Sequence, residues 1–274
     1  MPMWIDLIVE PFQYKFMIRA LIVCLAVGVM CPFLGAHVIN REMGFMGDAL
    51  AHSVMPGLVA AYAVGLTPMF GAIPLGITVA LVIGYVVKRS NVSNDTAMGI
   101  LFAGLFALGL VLLSLIGGSG INVEDILLGQ VMGTSDMDVY VTITVTVLTL
   151  LLMILLYKQM IFVGFDFEGA VVAGLPASRI DYLLLVVLSI VIVVSLQVVG
   201  IILVVGMLIT PAASASLIVK RFSHVISLGI GFGVISSVLG LYFSYYFNLP
   251  SGPAIALVST AIFLMSFIVH GLKR

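Results

Sequence analysis

The run Ile180-Asp-Tyr-Leu-Leu-Leu-Val-Val-Leu-Ser-Ile-Val-Ile-Val-Val-Ser-Leu-Gln197 decides the fold class. Past its first residues it is continuously apolar, without the in-and-out alternation of a barrel strand. Its length approaches the ~20 residues a helix needs to cross hydrocarbon. Working outward, comparable runs recur from Phe16 to the C-terminus and give nine candidate spans, near 16–38, 41–65, 68–88, 95–117, 137–157, 180–197, 199–219, 223–247 and 253–271. The second is the weakest, because it holds Asp48, His52 and Pro56. Composition agrees: 62% of residues are hydrophobic, 8% are charged, and the mean hydropathy is +1.32. Soluble domains carry roughly 25% charged residues, so there is too little polar surface here to cover a water-soluble globule. The expectation is an all-α polytopic membrane helix bundle of about nine spans, or eight if the second run is excluded.

Basic residues orient the bundle. With the N-terminus outside and nine spans threaded, the inner side collects Arg41, Lys88, Arg89, Lys158, Arg179, Lys220, Arg221, Lys273 and Arg274, nine of the 11 Lys and Arg. The outer side keeps Lys15 and Arg19 and a loop over 118–138 carrying Glu124, Asp125, Asp136 and Asp138. That asymmetry follows the positive-inside rule and gives N-out, C-in. An eight-span model scatters the basic pairs. The chain reads as one transmembrane domain over 1–274. Residues 1–15, with Trp4, Leu7, Ile8 and Phe12, form an interfacial segment. No basic head precedes an apolar core there, so no cleavable signal peptide is expected. The acidic outer loop either docks a partner or is simply solvated. Frequent small residues, as from Gly200 to Ala215, allow close helix contact in lipid.

Few residues are chemically informative. Asp48 and His52, at i and i+4, share one helix face. Ionisable residues inside a span are costly and face a cavity or a partner. As a pair they offer one oxygen and one nitrogen ligand to a divalent ion such as manganese, iron or zinc; they equally fit a self-satisfied pair or a proton relay. Such a metal site requires neutral His and ionised Asp, so acid weakens it. Pro56 and Gly57 loosen the helix just beyond, where a pathway or gate needs irregular backbone. The inner loop over 163–178 holds a short helix with Glu168 in its first turn, Ala170 in its middle and Gly174 at its end. It is either a docking surface for a motor subunit or an interfacial connector. Pro211, flanked by Thr210, Ser214 and Ser216, kinks either a packing helix or a pathway-lining one.

Absences narrow the class. No G-x-x-x-x-G-K-[ST] loop is present to bind ATP, and no H-E-x-x-H pair marks a metalloprotease. Cys24 and Cys31 lie about two turns apart on one helix, ~10 Å, too far for a disulfide. His37, His224 and His270 stand alone in sequence.

The stretch Gly47-Asp-Ala-Leu-Ala-His-Ser-Val-Met-Pro-Gly57 resembles the G-D-A-L-S-H-A-V-L-P-G signature of the permeases of bacterial metal-cation ABC importers for manganese, zinc and iron. Asp95-Thr-Ala-Met-Gly-Ile100, Leu128-Gly129, Glu168-x-Ala170-x-x-x-Gly174 and Val199-Gly200 to Ala213 extend the resemblance, in order, over nearly the whole chain. Ala51 and Ser53 invert the family's usual arrangement around the histidine and leave the ligand pair intact. The resemblance implies two permease copies joined to two cytoplasmic ATPase subunits, and an extracellular or periplasmic binding protein delivering the metal. It implies that Asp48 and His52 coordinate the ion, that Glu168, Ala170 and Gly174 lie in the coupling helix, and that ATP hydrolysis drives alternating access. The protein would sit in the bacterial inner membrane, a multi-pass subunit among lipids, without an ATPase site, a nucleic-acid partner or a permanently bound cofactor. Met55-Pro56-Gly57 resembles the manganese/iron branch, making manganese(II) the expected cargo, with zinc or iron the alternatives. An ion-coupled secondary metal transporter is the competing class; it would normally show paired broken helices in two halves.

Overall fold

A lipid environment offers no partner to a backbone N–H or C=O, so each span must close its own hydrogen bonds as a helix. The computed structural model describes residues 10–90, 92–116, 129 and 131–272, and among these the regular elements are all helical. In chain order they are α1 (Lys15–Asn40), α2 (Met46–Ser53), α3 (Met55–Ala63), α4 (Met69–Arg89), α5 (Asn94–Ile116), α6 (Asp136–Leu155), α7 (Tyr157–Phe165), α8 (Phe167–Val172), α9 (Ala177–Val199), α10 (Ile201–Ile218), α11 (Phe222–Phe247) and α12 (Ser251–Leu272). Eight of them, α1, α4, α5, α6 and α9 to α12, are long and apolar enough to cross a membrane.

The second apolar run is the exception. Expected as one span over 41–65, it is two short helices meeting at Val54 (φ −81°, ψ −7°). Pro56 has no N–H, so the His52 carbonyl loses its helical donor, and the amide of Val54 turns to that carbonyl instead. Pro56 then falls in the first turn of α3, where a missing donor is tolerated. The break therefore precedes Pro56 and Gly57 rather than following them.

Long-range packing divides the chain into two compact units. One comprises Met1–Ala36, Val123–Val147 and Ser195–Arg274. Within it, α1 meets its neighbours where side chains vanish. A Cβ on Gly28 would lie 3.0 Å from the Gly233 carbonyl oxygen, and one on Gly35 only 1.7 Å from that of Leu208. Backbones in contact maximise dispersion, the main attraction left between helices in lipid. Ser237 Oγ donates to the Cys24 carbonyl at 2.9 Å. Cys24 and Cys31 are free thiols. The start of α6 is a capping box: Ser135 N donates to Asp138 Oδ2 at 2.9 Å and Asp138 N to Ser135 Oγ at 3.2 Å. Asp136 pairs with Arg19 at 2.6 Å. Those two outer-loop acids thus have local partners, whereas Glu124 and Asp125 lie outside the described residues, as do Trp4, Leu7, Ile8, Leu128, Lys273 and Arg274. Phe12, in a short 3₁₀ turn, meets the Tyr242 ring edge-on at 5.9 Å.

The other unit, His37–Asn122 and Leu148–Val194, holds the broken helix. Here α2 and α3 pack against α4 and α5, and Val54, at the break, is buried with Ala72 of α4 and Val193 of α9.

Candidate metal site

Six of the eight residues of α2 are buried: Met46, Gly47, Ala49, Leu50, Ala51 and Ser53. The two that keep access to open space are Asp48 and His52, with side-chain exposures of 32% and 15%. A buried helix whose accessible atoms are a carboxylate and an imidazole presents a polar pair on an apolar support.

The ring is held from two directions. His52 Nδ1 lies 3.0 Å from the Asp48 backbone carbonyl and 3.4 Å from Asp48 Oδ1. A carbonyl only accepts, so Nδ1 carries the hydrogen and donates it there. In the neutral ring Nε2 then carries the free lone pair. The same Nδ1 lies within ion-pair distance of the Asp48 carboxylate, so the two side chains touch each other while both keep access to open space. Phe102 and Phe106 of α5 pack against the ring at nearly right angles, with centroids at 5.1 and 5.2 Å and interplanar angles of 86° and 84°. The two phenyl rings stack on each other at 5.9 Å, and Phe45 adds an edge contact to Phe102 at 5.9 Å. Such contacts contribute about 0.5–1.5 kcal/mol each. Phe102 and Phe106 went unnoticed in the sequence, where an i, i+4 aromatic pair in an apolar span looks like any core pair. Among the described residues no cluster of three or more His, Cys, Asp or Glu is placed to hold a metal.

Pro56 and Gly57 follow on α3. Gly57 faces Gly71 of α4: a Cβ on Gly57 would lie 2.4 Å from the Gly71 carbonyl oxygen, and one on Gly71 1.9 Å from that of Gly57. Gly57 thus marks the α3–α4 crossing.

Glu168, Ala170 and Gly174 lie together elsewhere in the same unit. Asp166 Oδ1 accepts from the Gly169 amide at 2.8 Å and caps α8. Glu168 occupies the first turn, favoured there by the helix dipole. Ala170 is fully buried. Gly174 takes φ +81°, and the Leu175 amide closes back on the Ala170 carbonyl at 3.0 Å, a glycine-ended helix stop. Val171 and Val172 are exposed, the latter 88%. Pro211 lies buried inside α10, in the first-described unit. Ser214 and Ser216 donate to the Thr210 and Ala213 carbonyls at 2.7 Å each.

Among the described residues, eight long apolar helices and a broken ninth segment bearing an accessible Asp–His pair define a polytopic α-helical membrane protein. Residues 13–270 match the ABC 3 transport family, and the chain belongs to that family. It is 42% identical over 255 residues to the manganese transport system membrane protein MntC of Halalkalibacterium halodurans, covering 93% of this chain and 87% of that one. It is 35% identical over 271 residues to the chelated iron transport system membrane protein YfeC of Yersinia pestis, covering 98% and 92%. Among solved structures, PsaBC from Streptococcus pneumoniae in complex with Fab matches with a TM-score of 0.85 and 37% identity, over 97% of this chain and 95% of that one.

Proposed function

We propose that this chain is the permease subunit of an ABC importer that carries divalent transition-metal ions, manganese(II) first, into the cytoplasm by alternating access. The observation that carries this reading is the Asp48–His52 pair, the two accessible side chains of an otherwise buried helix, with Nδ1 held at the Asp48 carbonyl at 3.0 Å. Fixing one ring nitrogen orients the other toward a metal. One hard oxygen and one borderline nitrogen suit manganese(II), iron(II) or zinc(II). Two protein ligands hold an ion that keeps part of its water shell, and weak holding suits a cargo that must leave. Relatives named for manganese and for chelated iron transport support the metal class.

In this reading the N-terminus is outside and the C-terminus inside the bacterial inner membrane. Two copies of the chain join two cytoplasmic ATPase subunits, and an external binding protein delivers the ion. The exposed valines of α8 meet the ATPase, with Glu168, Ala170 and Gly174 shaping that short helix. ATP is hydrolysed by the partner, and the metal passes as cargo.

The test is metal-dependent ATP hydrolysis by the chain purified with its ATPase and binding protein, comparing manganese, iron and zinc, with metal entry followed in proteoliposomes. Stimulated hydrolysis with uptake, both lost in Asp48→Ala, supports the importer and ranks its ions. Metal entry driven by a proton gradient without ATP overturns it in favour of a secondary transporter.

A further inference from the structure

The connection between α1 and α2 is short and tightly wound. Arg41, Glu42 and Met43 bond back to the carbonyls of Val38, Ile39 and Val38, and Glu42 sits in the left-handed region at φ +55°. From this turn two side chains reach α7, immediately before α8. Asn40 Nδ2 donates to the Gly164 carbonyl at 3.0 Å and Arg41 Nη2 to that of Met160 at 3.4 Å. Gly164 leaves the room: a Cβ there would lie 3.2 Å from Asn40 Nδ2 and 3.4 Å from Arg41 Nε.

A carboxylate gathers the cations. Asp181, in the first turns of α9, accepts from Arg41 Nη1 through one oxygen and pairs with Lys88 Nζ at 3.2 Å through the other. Lys88, in the last turn of α4, also places its ammonium 4.3 Å from the Tyr182 ring centroid and 5.4 Å from that of Phe167, the first residue of α8. The Arg41 side chain is only 8% exposed. Burial pushes its guanidinium below the usual range, and Asp181 opposes that shift.

We propose that Arg41, Lys88 and Asp181 form a positioning clasp that passes displacement of α8 to the start of α2, and so to Asp48 and His52. This rests on the importer reading and adds to it the residues that carry the motion. The chain of contacts runs from Phe167 through Lys88 and Asp181 to Arg41, and from Gly164 through Asn40 to the same turn. Asp48 lies seven residues beyond Arg41, across a connection with little slack. Networks of ion pairs and hydrogen bonds are among the contacts that carry coupling between separated sites.

The experiment reconstitutes the full complex with its ATPase and binding protein in proteoliposomes and measures ATP hydrolysed per manganese ion imported, with equilibrium binding of manganese(II) alongside. Asp181→Asn removes the shared carboxylate; Lys88→Gln leaves the Arg41–Asp181 pair in place and covers the case in which Asp181→Asn fails to fold. For each, ATP consumed per ion rises about 5-fold or more, the scale of an ordinary coupling energy, while manganese affinity stays at the wild-type value. Asp181→Glu restores the ratio. A merely structural role lowers hydrolysis and uptake together and leaves the ratio unchanged; that result in a folded Lys88→Gln variant overturns the clasp alone. Wild-type complexes that import manganese without consuming ATP overturn the importer reading, and the clasp with it.

Discussion

Replacing Gly57 by alanine tests how closely the site depends on one helix crossing. The added Cβ would lie 2.4 Å from the Gly71 carbonyl oxygen, 2.9 Å from its carbon and 3.0 Å from Leu75 Cβ. Carbon normally approaches a carbonyl oxygen no closer than ~3.3 Å, so α3 and α4 must part by about 1 Å. Two of the three obstructing atoms are backbone, and no rotamer relieves them. Overpacking of this kind costs about 1–3 kcal/mol. Gly57 stands five residues beyond His52, just past the break at Val54, so strain at the crossing reaches the pair directly. Metal ligands tolerate about ±0.2 Å, roughly one-fifth of the forced movement. Gly57→Ala is therefore expected to lower thermal stability in detergent and reduce manganese binding and uptake at least ~10-fold, the effect of about 1.4 kcal/mol. Gly71→Ala should do the same, and the double variant should cost less than the sum, because both act at one contact. Gly104→Ala is the control: nothing lies within 4 Å of its Cβ position on α5, and alanine stabilises a helix interior by about 0.5–1 kcal/mol. Wild-type stability and uptake in Gly57→Ala would show that the crossing does not constrain the site.

Removing the imidazole by His52→Ala should abolish manganese uptake while the complex still assembles, since the buried residues Met46, Ala49, Leu50 and Ser53 that pack α2 are left intact; uptake at the wild-type level would remove His52 from the site. Truncating its supports, Phe102→Leu or Phe106→Leu, forfeits an edge contact worth about 0.5–1.5 kcal/mol, so manganese affinity should fall about 2–10-fold by equilibrium binding, and unchanged affinity would show the rings to be packing alone. Asp166→Ala deletes the cap of α8 at a cost of about 1 kcal/mol; hydrolysis by the assembled complex should then respond less to manganese while manganese binding is unaffected, and full stimulation would separate α8 from coupling.

Much of the architecture was legible because the information is local. A run such as 180–197 reports its own solvent, since a continuously apolar segment in hydrocarbon closes its backbone hydrogen bonds as a helix. The Asp48–His52 adjacency was likewise readable, because i, i+4 spacing on a helix places two side chains together whatever surrounds them. The broken second run was half visible: Pro56 announced an interruption, but the break falls at Val54, where the amide of that residue turns to the His52 carbonyl. Gly57 was read as loose backbone and is instead a point of backbone contact with Gly71.

Sequence alone specified a polytopic helical membrane protein with a carboxylate and an imidazole on one helix face, because hydropathy and helical spacing act within a single segment. Tertiary structure alone selected the partners: Phe102 and Phe106 for the His52 ring, Gly71 for Gly57, and Asp181 for Arg41, 140 residues away. In lipid, apolar side chains gain nothing by leaving solvent for one another. Which helices meet is therefore settled by close fit and by a few polar contacts, and no single segment's pattern records those.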